Sequence, residues 1–93
     1  MSVTRITRFE AKPGMGDGLY QFLNSIVGLV EQAPGCASCK VLRSLENPNG
    51  FLCIELWASM TDHQAVASNI PAGKLAEAMT FLARAPAGTY YTS

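Results

Sequence analysis

Few side chains in this sequence are suited to chemistry, and the most distinctive is His63, its only histidine. Imidazole is the side chain whose ordinary pKa falls near neutrality. The segment Thr61-Asp62-His63-Gln64 has the pattern of a capping box, which puts His63 in the first turn of a helix. There the positive end of the helix dipole disfavours imidazolium and favours a neutral ring able to take a proton. A solvated histidine beside a helix cap is the competing reading. Trp57, the only tryptophan, suits the wall of an aromatic pocket, and equally a core or an interface. Cys36-Ala-Ser-Cys39 has the spacing of a redox or metal-binding pair. Yet it follows a helical stretch and enters a strand, where residues three apart point to opposite faces. A structural zinc needs four ligands. With only Cys53 and His63 left to complete such a set, no metal site is expected. Arg5, Arg8 and Arg43 fall in strands. An inward one would need an anionic ligand or a carboxylate such as Glu10 or Glu55, whereas at a strand edge in water it discourages aggregation.

These residues are carried by elements that the pattern makes visible. Val3 to Ala11 is rich in β-branched and aromatic residues and stops at Lys12-Pro13-Gly14, so it is expected to be a strand. Lys12 to Gly18 is glycine-rich but lacks Gly-Lys-Ser/Thr and the parallel context of a phosphate loop, and reads as a turn. From Met15 to Gln32, Leu19, Phe22, Leu23, Ile26 and Val30 recur at helical steps and form one core-facing stripe. Ala33-Pro34-Gly35 ends that helix. Cys36 to Leu45 and Phe51 to Ala58 read as the arms of a hairpin whose turn ends in Asn49-Gly50. A short helix to about Asn69 follows. Pro71 opens another, with Leu75, Met79 and Leu82 on one face, and Thr89 to Thr92 closes the sheet. Alternation sends one of Tyr90 and Tyr91 inward.

The order β-α-β-β-α-β predicts an α+β, ferredoxin-like fold: a four-stranded antiparallel sheet with its helices on one face. The hairpin is apolar on both faces, with Leu52, Ile54 and Leu56 on one side of the third strand and Phe51, Cys53 and Trp57 on the other. Cys39, Val41 and Leu45 likewise oppose Leu42. Helices on one face leave the other bare, a larger apolar patch than soluble monomers show. A homodimer, sheet against sheet, is therefore expected.

Composition narrows the field further. At 93 residues one domain is expected over 1–93. Hydrophobic residues make up 48% and charged residues only 15%, which excludes disorder. Seven basic against seven acidic residues leave no net charge, so neither nucleic acid nor an anionic membrane surface is an expected partner. Three cysteines, an N-terminus without an apolar signal segment and the lack of any membrane-length apolar run point to a cytoplasmic location.

Phe9-x-Ala11-Lys12-Pro13-Gly14, Pro34-Gly35-Cys36, the hairpin, Glu55-Leu56-Trp57, Ser59 and His63-Gln64-Ala65 together resemble the antibiotic biosynthesis monooxygenase (ABM) domain, over about Val3 to Tyr91. The resemblance implies a dimeric α+β barrel whose protomers each hold a pocket between sheet and helices. Family members include cofactor-free monooxygenases that make quinones from anthrones or quinols, haem-degrading enzymes and a sugar-phosphate isomerase, so fold alone does not fix the chemistry. Trp57 matches the family tryptophan at the end of the third strand. The asparagine and tyrosine that accompany it in polyketide anthrone oxygenases fall at Cys53 and His63, and the tyrosine of the second strand falls at Cys39. Val66 stands where quinol-oxidising relatives carry a histidine and haem degraders a second tryptophan, and the haem degraders' other histidine would fall near Ala76. Haem degradation is disfavoured.

The expectation is a monooxygenase, without metal or organic cofactor, that oxidises a small aromatic quinol or anthrone with dioxygen. On this reading His63 is base or proton shuttle and Trp57 a stacking wall, while Cys39, Cys53, Phe22 and Val66 line the substrate pocket. Two alternatives stay open: a non-catalytic dimeric module that binds a hydrophobic metabolite, and an isomerase of the same superfamily. An RNA-binding sheet of this topology lacks the aromatic pattern and positive charge it would need.

Overall fold

A computed structural model describes residues 2–93. Its strands are β1 (Val3–Glu10), β2 (Cys36–Arg43), β3 (Gly50–Trp57) and β4 (Ala87–Tyr91). Its helices are α1 (Gly16–Glu31), α2 (Met60–Gln64) and α3 (Ala72–Phe81), with a 3-10 turn, Ala65–Asn69, between α2 and α3. The four strands form one antiparallel sheet in the order β2-β3-β1-β4, the ferredoxin-like α+β arrangement. No helix among the described residues is long and apolar enough to cross a membrane.

Strand alternation separates two faces. On β3, Phe51, Cys53, Glu55 and Trp57 are buried, while Leu52, Ile54 and Leu56 between them are half-buried. Register carries the same division across the sheet: Arg5 pairs with Glu55 and Tyr90, Cys39 with Glu55, and Val41 with Cys53, all on the covered face. Ile6 opposite Ile54, Leu42 opposite Leu52, and Tyr91 opposite Thr4 occupy the other face. Two clusters build the core under the helices. Leu19, Phe22 and Leu23 of α1 pack with Ala11, Phe51 and Leu82, and Val30 and Ala33 pack with Trp57.

Some local expectations are corrected. The N-cap of α2 is Ser59, whose Oγ accepts from the Asp62 amide at 3.1 Å, not Thr61. Thus α2 is a single turn and His63 lies near its end, which removes the helix-dipole argument. Leu45 lies beyond β2 and is fully exposed. Asn49 has no positive φ; instead the hairpin loop is held by Ser44 Oγ, which accepts from the amides of Glu46 and Asn47. Leu82 leaves α3 in extended conformation and bridges to Ala11. Gly35 has φ +86° and its missing Cβ faces the Asp62 carboxylate, so only glycine lets the chain turn from α1 into β2 beside α2.

The largest correction concerns the cysteines. A β-bulge lies between Cys36 and Ser38: Cys36 pairs with Trp57, and Cys39 with Glu55. The extra residue shifts the alternation, so Cys36 and Cys39 share the covered face and both pack against the Trp57 cluster.

Candidate active site

Between sheet and helices lies a cavity of about 390 Å³. Its sheet wall is Arg5, Thr7 and Phe9 of β1, Cys39 and Val41 of β2, and Cys53 and Glu55 of β3. α1 contributes Phe22, Ile26 and Val30; His63, Val66 and Ile70 come from the broken helical segment; and Leu75, Ala78 and Met79 come from α3. Phe22, Cys39, Cys53, His63 and Val66 are thus brought to one chamber. A second, open groove of about 650 Å³ along Arg8, Arg43 and Arg84 is a weaker candidate. Two of its three arginines are engaged, Arg43 with Asp17 at 2.7 Å and Arg84 with Glu10 at 3.1 Å.

Trp57 does not line the chamber. It is fully buried, and its indole N–H donates to Glu55 Oε1 at 2.8 Å. The expected stacking wall is therefore a residue behind the wall, and its contact with the site runs through Glu55 and His63. Its ring also meets His63 edge-on, with centroids 5.5 Å apart.

Glu55 is the hub that sequence reasoning did not place in the site. Its Oε2 accepts from Cys53 Sγ at 3.3 Å, and its Oε1 lies 3.7 Å from His63 Nε2. Cys53 Sγ lies 3.8 Å from Cys39 Sγ. On the other side of His63, Nδ1 is 2.7 Å from Tyr90 Oη. Tyr90 is the inward member of its pair, and Tyr91 is exposed. Arg5 lies over the Tyr90 ring at 4.5 Å; its Nε is buried without a hydrogen-bond partner. The space for this guanidinium comes from Gly88, where any Cβ would collide with it.

Burial holds the His63 pKa below its ordinary value of 6.5, and the positive charge of Arg5 acts in the same direction, while Glu55 opposes them. The neutral ring expected from a helix dipole is thus favoured by desolvation instead. Hydrogen bonding to Cys39, burial and the Glu55 charge push the Cys53 thiol far up. Burial, and then Cys39, raise that of Cys36. The arrangement can take a proton at His63 and stabilise the resulting imidazolium through Glu55, inside an apolar chamber.

Similarity to known proteins follows the same outline. Over its whole length the chain superposes on Rv0793 from Mycobacterium tuberculosis, covering 95% of that chain with TM-score 0.85 at 20% identity. It covers 92% of SnoaB, a cofactor-independent oxygenase from Streptomyces nogalater, with 99% of its own length, TM-score 0.81 and 15% identity. NE2512, a protein of unknown function from Nitrosomonas europaea, is 25% identical, with 97% and 86% of the two chains covered and TM-score 0.80. No curated protein matches. The family profile described as antibiotic biosynthesis monooxygenase matches residues 2–74, and with this fold around it the chain belongs to the ABM family.

Proposed function

We propose that this protein is a cofactor-independent monooxygenase that oxidises a small electron-rich aromatic, a quinol or anthrone, with dioxygen. The observation that carries this reading is the His63 ring at the wall of an apolar 390 Å³ chamber, held between Tyr90 and Glu55. Such a substrate supplies its own electrons. In the tautomer with its proton on Nδ1, His63 donates to Tyr90 Oη and leaves Nε2 free to accept a proton from the substrate. The carbanion or phenolate so formed reduces dioxygen and adds to it. An anthrone methylene then becomes a carbonyl: one oxygen atom is retained and the other leaves as water with the two hydrogens. Glu55 stabilises the imidazolium, and the returned proton assists loss of hydroxide from the peroxide.

The SnoaB likeness supports an oxygenase reading. The test is oxygen uptake and product analysis with a panel of dithranol-like anthrones and quinols. Quinone formation is the expected result. Silence across the panel, together with a ligand-induced rise in Tm, would replace this reading with the non-catalytic binding module.

The functional unit in this proposal is a homodimer closed through the bare sheet face. Ile6, Leu42, Leu52, Ile54 and Leu56 form an apolar surface there, continued by the exposed Tyr91. Covering what remains exposed of these partly buried side chains contributes roughly 25 cal/mol per Å² of apolar surface, offset in part by the cost of association, and symmetry counts each residue twice. The wild-type protein is expected to sediment at twice its chain mass at micromolar concentration, and Ile54→Lys at one. A monomeric wild type overturns this assembly.

A further inference from the structure

We propose that Cys39, Cys53 and Glu55 form a binding site for a thiophilic divalent cation, of which zinc is the common example, on the sheet wall of the cavity. One ligand atom from each residue lies within 4.8 Å of the others. Two thiolates on one tetrahedral zinc, each about 2.3 Å from the metal, stand about 3.8 Å apart. The two sulfurs are 3.8 Å apart. The carboxylate is already oriented for the third position. Its Oε1 is held by the Trp57 indole N–H at 2.8 Å, while Oε2 faces Cys53 Sγ at 3.3 Å. Anchoring one oxygen while the other faces the metal is the usual role of groups that support a ligand from behind.

A divalent cation with two thiolates and one carboxylate carries one net negative charge. Arg5, on the adjacent strand in register with Glu55, stacks over Tyr90. The thiols must lose their protons to ligate, so each ion bound displaces two protons. Three protein ligands leave the fourth position to water or an incoming molecule on the cavity side. Cys36 shares this face, but its Sγ contacts the Ser38 carbonyl at 3.4 Å and it is not in the ligand set.

This site shares Glu55 and the cavity wall with the oxygenase reading, but it does not rest on that reading and its test does not use turnover. The reduced protein is titrated with Cd²⁺, read by its ultraviolet thiolate-to-metal charge-transfer band and by proton release in weak buffer. Expected are one ion per chain, the intensity of two thiolates and two protons released. Cys39→Ser or Cys53→Ser weakens binding by at least about tenfold and halves the band, Glu55→Gln weakens it by about tenfold, and Cys36→Ser leaves both unchanged. Far-UV circular dichroism establishes that each variant is folded. Should Cys53→Ser not fold, Cys39→Ser, at a half-buried position, decides alone. The proposal fails if Cd²⁺ gives no band at micromolar concentration, if the band survives Cys39→Ser intact, or if Cys36→Ser abolishes it.

Discussion

Trp57→Ala is expected to destabilise the fold by about 3–5 kcal/mol, the range for truncating a large buried aromatic, out of a total stability of roughly 5–15 kcal/mol. Trp57 is fully buried against Val30 and Ala33, between the end of β3 and the C-terminal turn of α1. Removing it opens a cavity and also leaves Glu55 Oε1 without its 2.8 Å donor. Trp57→Phe separates the two effects. It retains most of the packing and loses the hydrogen bond, for a cost of about 1–3 kcal/mol. Denaturant midpoints of the two variants measure both. A shift below about 1 kcal/mol for Trp57→Ala would contradict its place in the core.

His63→Ala is expected to lower kcat for the oxidised anthrone or quinol by about 10²–10⁴, the usual worth of a positioned general base. Unchanged turnover would remove His63 from the mechanism. The pH profile provides a second readout. With the folded pKa held below 6.5 by burial, the base form persists into mild acid, and the acid limb of kcat/KM should lie below pH 6.5. Glu55→Gln removes the negative charge that opposes this shift, so the limb should move further down. Stability follows the same linkage. As the pH falls through 6.5 the unfolded chain takes up the His63 proton first, so the contribution of this residue to stability is constant above that pH. It declines below 6.5 until the folded pKa is reached. An acid limb at or above 6.5 would contradict the desolvated environment of His63.

Much of the architecture could be read from the residues. Alternation on the third strand, the α1 stripe and the stops at Pro34-Gly35 and Pro71 produce the observed order because each is a local rule that the tertiary fold obeys. The site was legible only where position in the chain implies position in space. His63, Cys39, Cys53, Phe22 and Val66 meet at one cavity. Trp57 does not, because whether a buried aromatic lines a void or fills it depends on packing that no spacing encodes. The bulge between Cys36 and Ser38 was hidden for a similar reason: it adds a single residue, and nothing in Cys36-Ala-Ser-Cys39 marks it. Glu55 was more accessible. It shares parity with Phe51, Cys53 and Trp57, and a carboxylate at an inward position of an apolar strand already signals a partner it must meet.

The two walls of the chamber differ in how firmly they are held. Arg5, Cys53, Glu55 and Tyr90 project from paired strands, whereas α3 has no fully buried residue, and Leu75 and Met79 at its face are more than half exposed. Leu75 and Met79 can therefore be exchanged at small cost to folding while the polar groups opposite stay in place. Selection for a guest of different outline has room to act at those two positions, leaving the polar wall as inherited.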